Sequence, residues 1–226
     1  MAKCLNHIAF IMDGNRRWAK KNKCSAMHGY EAGFEKMLEV VDLCAKMNLK
    51  YASFYSFSKE NWFRSIKELY GIFYLIEKHG KQIIERWSSA DYKVRIVGDK
   101  CNLPYKVKNW ADELEEKTQN CTGLNVSLVV NYSGRDDIVK AIVKIIDKKN
   151  ENINESIVSQ NLYTSDIPDP DLCIRTGGES RLSNFFLWQM AYTEISFVDI
   201  FWPDFSEDNL NNLMKNCLSK DKRWGV

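Results

Sequence analysis

The sequence predicts an α/β domain built on a largely parallel sheet, and three observations predict it. Apolar runs of strand length alternate with longer stretches of helical period along the whole chain. That alternation is the signature of parallel strands joined by crossover helices, with both sheet faces covered. With 226 residues the chain can build one substantial core, and no repeat, low-complexity segment or Pro/Gly linker divides it. Residues 1–226 are therefore read as one domain.

The elements follow in order. His7–Met12 is a first strand, and Phe34, Met37, Leu38, Val41, Cys44 and Ala45, spaced three and four apart, form the buried face of a helix. Tyr51–Phe57 is a second strand and Ile66–Trp87 a long helix. Lys93–Val97 and Leu124–Val130 are strands three and four, each followed by a helix, Pro104–Asn120 and Asp136–Lys148. The polar stretch Lys148–Ser156 reads as a flexible surface connection. Leu172–Ile174 and Ile195–Phe201 are the last strands, and Glu207–Leu218 is the closing helix. In the long helix, Ile66, Leu69, Tyr70, Ile72, Phe73, Leu75 and Ile76 spread over most of the circumference. Such a helix is buried on two sides, or one side lines a hydrophobic channel; the pattern leaves both open.

Composition narrows the function. A net charge of +2 supplies no global field for nucleic acid. No apolar run nears the roughly 18 residues needed to span a bilayer, and Met1–Phe10 lacks a signal-peptide pattern. Seven cysteines without a CxxC pair point to a reducing, cytoplasmic setting, and His7, His28 and His79 are too scattered for structural zinc. The N-x-S/T sequons at Asn120, Asn125, Asn131 and Asn154 then read as chance.

Chemistry is expected beyond the carboxyl ends of the strands. There the chain places Asp13-Gly14-Asn15-Arg16-Arg17-Trp18, then Ser58-Lys59-Glu60-Asn61-Trp62-Phe63-Arg64, then the Arg175–Arg181 turn with Leu182 and Ser183. Only nine of the 32 basic residues are arginine, and six of those (16, 17, 64, 135, 175 and 181) fall at strand-to-helix turns. The guanidinium fork matches phosphate oxygens bidentately. Gly14, Gly177 and Gly178 let backbone N–H groups approach an anion closely. Neither a P-loop nor a Rossmann fingerprint is present. Asp13, at a strand tip beside two arginines, either caps the next helix or binds Mg2+ bridging a diphosphate, with Glu194 as a second carboxylate.

Taken together, HIAFIMDGNRRWAK (7–20), YSFSKENWFRS (55–65), VNYSGRDDI (130–138), DLCIRTGGESRLSNFFLWQMAYTEISF (171–197) and WPDF (202–205) resemble the cis-prenyltransferase family. That family makes undecaprenyl and dehydrodolichyl diphosphates, and the doubled Arg16-Arg17 is closer to its dolichol-type branch. The resemblance implies a six-stranded sheet flanked by helices, a hydrophobic tunnel floored near Leu124, and a homodimer. It implies stepwise condensation of isopentenyl diphosphate onto an allylic diphosphate with Mg2+ as cofactor. Asp13, Gly14, Asn15, Arg16, Arg17 and Trp18 would hold the allylic diphosphate. Arg175, Arg181, Leu182 and Ser183 would hold isopentenyl diphosphate, with Asp13 and Glu194 as metal ligands. Ser58, Lys59, Glu60, Asn61, Trp62 and Arg64 would surround the reacting ends, Asn61 as proton acceptor, and Arg223-Trp224-Gly225 would reach the partner subunit. The chain departs from the family pattern at Ala26, Tyr30 and Ser180. An accessory, non-catalytic subunit of a heteromeric enzyme is the alternative, and peripheral contact with a membrane such as the endoplasmic reticulum stays open.

Overall fold

His7–Ile11 (β1) is buried at every position, and its alternate side chains feed two different cores. Ile8 and Phe10 point to one face and Ala9 and Ile11 to the other, as the strand period of two requires. A strand covered on both faces belongs in the middle of a sheet with helices on either side. The computed structural model describes residues 4–149 and 153–220.

After β1 come α1 (Asn15–Lys21), α2 (Ala26–Lys46), β2 (Tyr51–Ser58), a 3-10 turn (Lys59–Phe63) and α3 (Ile66–Ser89). Then follow β3 (Lys93–Val97), α4 (Tyr105–Thr118), β4 (Asn125–Tyr132), α5 (Gly134–Asp147) and α6 (Glu155–Asn161). The chain closes with β5 (Leu172–Arg175), β6 (Glu194–Phe197) and α7 (Glu207–Ser219). The strands form one six-stranded sheet in the order β3-β4-β2-β1-β5-β6. Every neighbouring pair is parallel. β1 has its sequence neighbour β2 on one side and the distant β5 on the other, so the turns after β1 and β5 leave a crevice at their carboxyl ends.

Helix starts are fixed locally. The Ser25 hydroxyl accepts the His28 N–H at 3.2 Å at the start of α2, and Ser65 accepts from Glu68 at 3.4 Å at the start of α3. Ser206 and Asn209 form a reciprocal capping box on α7. The larger core fills one sheet face, where Phe10, Phe54, Phe57, Ile83, Trp87 and Leu128 meet α2, α3 and α4.

The structure departs from the sequence reading in four places. Helix α1 was unforeseen, because its seven residues carry only Ala19 as a buried position and so show no apolar stripe. Helix α6 begins at Glu155, inside the stretch expected to be a loop, where the Asn154 side chain caps it through the Ile157 N–H. β4 runs from Asn125 to Tyr132, so Leu124 lies just before it. β6 stops at Phe197 because the carbonyls of Val198 and Ile200 turn to accept from Gly178 and Gly177, at 2.9 and 2.8 Å. None of the seven cysteines is in a disulfide; burial pushes the Cys44 and Cys173 thiols upward, as in small apolar side chains.

Candidate active site

Asp13 follows the tip of β1, and its backbone N–H and carbonyl are both tied to Thr176, the residue after β5. Its N–H donates to the Thr176 hydroxyl at 3.0 Å, and that hydroxyl donates to the Asp13 carbonyl at 2.7 Å. The carbonyl also accepts from the Trp202 N–H at 3.0 Å. The carboxylate is thereby aimed into the crevice, where Arg175 Nη2 meets Oδ2 at 2.9 Å and Arg17 Nη2 meets Oδ1 at 3.2 Å. Arg17 also lies 3.6 Å from Glu179, whose other oxygen is 2.5 Å from Arg181. Arg175, only 4% exposed, donates further to the Arg181 carbonyl at 2.5 Å and the Ser183 hydroxyl at 2.7 Å.

Two glycines make this close approach possible. Gly14 caps α1 at φ +110°, and a Cβ there would lie 2.8 Å from the Phe201 ring. Gly177, at φ +88°, would place a Cβ 2.6 Å from Arg17 Nη2 and 3.2 Å from the Asp13 carbonyl.

Beneath the charged rim lies one cavity of about 960 Å3 that joins polar mouth to apolar interior. Its mouth carries Asp13, Asn15, Arg16, Arg17, Ser58, Asn61, Arg64, Arg175, Glu179, Arg181 and Ser183. Its interior is walled by Phe34 and Met37 of α2, Ile72, Leu75, Ile76, Ile83 and Trp87 of α3, Trp110 of α4 and Leu128 of β4. Helix α3 thus resolves the ambiguity of its pattern: one face lines the channel, while Ile66, Tyr70 and Tyr74 point outward to solvent. Three polar atoms of lining residues, Asn15 Oδ1, the Tyr30 hydroxyl and Arg175 Nε, are buried without a hydrogen-bond partner. Buried groups of this kind call for an explanation, and a polar ligand in the mouth supplies one. Burial pushes the Tyr30 phenol upward against the opposing charge of Arg64.

The chain matches the undecaprenyl diphosphate synthase family model over residues 11–225. It belongs to the cis-prenyltransferase family. Among its relatives are dehydrodolichyl diphosphate synthase 4 of Arabidopsis thaliana, 38% identical over 97% of this chain and 78% of that protein, and an isoprenyl transferase of Clostridium tetani, 39% identical over 97% and 88%. The crystal structure of lavandulyl diphosphate synthase from Lavandula x intermedia, in complex with dimethylallyl diphosphate, superposes with a TM-score of 0.94 at 31% identity, covering 98% of each chain. The chain is accordingly a prenyltransferase of the polyprenyl and dolichyl diphosphate class.

Within this cis-prenyltransferase, not every residue expected in the site faces the cavity. Of the expected rim arginines, 16, 17, 64, 175 and 181 line it, whereas Arg135 is exposed elsewhere. Arg16 reaches across to α3 and pairs with Glu68 at 2.9 Å. Trp18, Lys59, Glu60, Trp62 and Leu182 turn away from it. The Trp18 indole donates to Asp204 at 2.6 Å, Lys59 pairs with Asp136 at 2.7 Å, and Leu182 packs into the second core. Glu60 accepts from Asn184 at 2.9 Å; burial works to raise its carboxyl, but that bond and its neighbours hold it below the usual range.

Glu194 needs correction as a partner of Asp13. It opens β6 in register with Leu172, itself in register with Ile8, so it sits at the amino end of the sheet. From Asp13 that is about five residues along the strands, roughly 16 Å, with two strand spacings across, and Glu194 pairs instead with Lys220 at 2.7 Å. The two carboxylates cannot grip one ion within one chain. No cluster of three or more His, Cys, Asp or Glu side chains suited to a metal occurs among the described residues. Arg223-Trp224-Gly225 lies outside the described residues.

Sequence reasoning left out Glu179, Thr176 and the α2 wall of Phe34 and Met37. Glu179 stood inside a motif already singled out and carried an acid's charge among arginines, a signal that was available. Thr176 acts only through a contact with Asp13 across the sheet, which no local pattern shows.

Proposed function

We propose that this enzyme condenses isopentenyl diphosphate stepwise onto an allylic diphosphate of farnesyl type, giving a Z-polyprenyl diphosphate for lipid-carrier synthesis. The observation that carries this reading is the continuity of a guanidinium-rich mouth with a bore whose interior is apolar. Both chemical halves of such substrates find a match in one cavity: diphosphates against Arg16, Arg17, Arg64, Arg175 and Arg181, hydrocarbon against α2, α3 and Leu128. The conjunction of Asp13, Asn61 and the arginines around one cavity supports catalysis by this chain over an accessory role.

As the allylic C–O bond breaks, charge moves onto the departing diphosphate. Arg16, Arg17 and Asn15, on and beside the start of α1, are preorganised to receive it, and α1 adds its N–H groups at Gly14 and beyond. Arg175, Arg181 and Ser183 face the second diphosphate from the β5 side. The isopentenyl double bond attacks the freed allylic carbon to form the new C–C bond, and the proton then lost passes by way of Asn61, the expected acceptor, to the released diphosphate; Asn61 is held by its Oδ1 accepting from the Ser58 N–H at 3.2 Å. The donor set fits Mg2+ as a substrate-borne ion: Asp13 offers one carboxylate, and the diphosphate and water would supply the rest. When bound, the ion would neutralise charge on the leaving diphosphate.

Each added five-carbon unit buries apolar surface worth about 3–4 kcal/mol at ~0.8 kcal/mol per CH2, which keeps the growing chain in the bore and makes release slow. For a homodimer, the support is the row Val139, Ile142, Val143 and Ile146 on α5, which is exposed at helical spacing. Among the described residues no helix is long and apolar enough to cross a membrane.

The test is incubation of the purified chain with farnesyl diphosphate, labelled isopentenyl diphosphate and Mg2+, followed by sizing of the lipid. Labelled polyprenyl product from this chain alone is expected; none at all, from folded protein, overturns the reading.

A further inference from the structure

The turn after β2 presents three of its residues, Ser58, Asn61 and Arg64, to the mouth of the cavity. Lys59, Glu60 and Trp62 point elsewhere and each is gripped there, while Phe63 is exposed. Lys59 pairs with Asp136 at 2.7 Å and lies 3.8 Å from Asp99; Glu60 accepts from Asn184 at 2.9 Å; the Trp62 indole N–H donates to Asn131 Oδ1 at 2.8 Å. The Trp62 ring packs on Phe57 and Phe73, with centroids 5.1 and 5.7 Å away.

The sheet holds this turn only at its start, where Ser58 still pairs with Tyr132. The β2–β4 ladder is regular from Tyr51 to Tyr55, then shifts register between Tyr55 and Phe57 and again before Ser58. Beyond Ser58 the turn is shaped by the local Ser58–Asn61 capping box and by side-chain anchors, of which Trp62 is the one that reaches the core.

Asn131 is shaped to receive it. It is 2% exposed and adopts φ +50°, a left-handed conformation that asparagine tolerates better than most non-glycine residues. Both ends of its amide are used: Oδ1 takes the Trp62 indole, and Nδ2 donates to the Asp99 carbonyl at 2.9 Å. Its own carbonyl accepts the Asp99 N–H at 3.2 Å, so side chain and backbone lock onto the second residue after β3. Asp99 is in turn held by Lys140 at 2.6 Å and Asn102 at 2.9 Å. An aspartate would lack the donor and an apolar side chain would lack both functions.

We infer that Asn131 is a positioning residue for the condensation, latching Trp62 so that Ser58, Asn61 and Arg64 are held at the mouth. Trp62 then serves as the anchor of the reactive turn and not as a substrate contact. The inference rests on the proposed reaction for its kinetic consequence, whereas the latch itself is a property of the fold.

The test uses Asn131→Ala, Trp62→Phe and the double variant, read two ways. Amide hydrogen exchange should quicken in residues 58–64 in each variant while α5 and α7 keep wild-type protection. The kcat for isopentenyl diphosphate incorporation should fall about tenfold in each single variant, the scale of one lost buried hydrogen bond. KM for the allylic substrate should change less than kcat, and the double variant should be no slower than the slower single one. Trp62→Phe keeps an aromatic ring against Phe57 and Phe73 and removes the N–H together with the five-membered ring, so it still reads the turn should Asn131→Ala fail to fold. Wild-type exchange in the turn, unchanged kcat despite faster exchange, or additive losses in the double variant each overturn the inference. A wild-type protein that condenses nothing counts instead against the proposed function, and exchange still decides whether the latch exists.

Discussion

Asp13, just past the end of β1, and Arg175, the last residue of the neighbouring β5, close a 2.9 Å ion pair across the crevice that opens between the two strands. The pair joins a nearly buried guanidinium to a carboxylate that is still about one-third exposed. Arg175 keeps two other acceptors, the Arg181 carbonyl and the Ser183 hydroxyl, so its charge is not stranded if Asp13 is lost.

Asp13→Ala is therefore expected to fold, with stability lowered by about 1–3 kcal/mol from the weakened Arg175 contact. Turnover should fall by about 10²–10³-fold or more, the scale of losing one preorganised electrostatic group at a site of developing charge. Melting and steady-state incorporation of labelled isopentenyl diphosphate check the two halves; near wild-type turnover would remove Asp13 from the mechanism.

Gly177→Ala introduces a Cβ where φ is +88° and Arg17 Nη2 would be 2.6 Å away. The backbone strain is about 1–2 kcal/mol, and Arg17 must swing off Asp13. A raised KM for the allylic diphosphate is expected, with a smaller effect on isopentenyl diphosphate. Equal KM values for mutant and wild type would show that the Arg17–Asp13 contact is dispensable.

The bore suggests where product length is set. Leu124 is buried in the core and does not line the cavity, whereas Leu128, four residues further along in β4, and Trp110 do. Leu128→Ala and Trp110→Ala should each lengthen the polyprenyl product on thin-layer analysis. Leu124→Ala should mainly cost stability, about 2–5 kcal/mol as for a truncated buried leucine. A longer product from Leu124→Ala and none from the other two would reverse this assignment.

His7 gives the fold an acid limit. It is fully buried, with Nδ1 2.6 Å from the Pro168 carbonyl and Nε2 2.8 Å from the Ser53 hydroxyl, and burial lowers its pKa to about 4. The unfolded chain takes up the proton near 6.5 and the native one only near 4, so stability is lost as pH falls through that window. The loss amounts to roughly 3 kcal/mol by pH 4. Denaturant titrations at pH 7, 5.5 and 4.5 should show it, and His7→Gln should flatten the dependence. An equally steep profile in that variant would assign the acid limit to other groups.

The chain's periodicity was enough to announce the six strands and five of the helices, because apolar spacing is a local record of which faces are buried. The reservation of arginine for strand-to-helix turns, with one aspartate among them, marked the rim of the cavity, since in a parallel sheet those turns share one edge. Direction within a turn was another matter. Trp62, Trp18 and Lys59 carry the same composition signal as Asn61 and Arg64, yet they point backward because Asn131, Asp204 and Asp136 hold them. Glu194 likewise shared a motif with Arg175 and was carried to the far edge by the strand register. Those outcomes depend on partners up to 186 residues away, and only the packed sheet, which fixes how distant segments meet, could decide them.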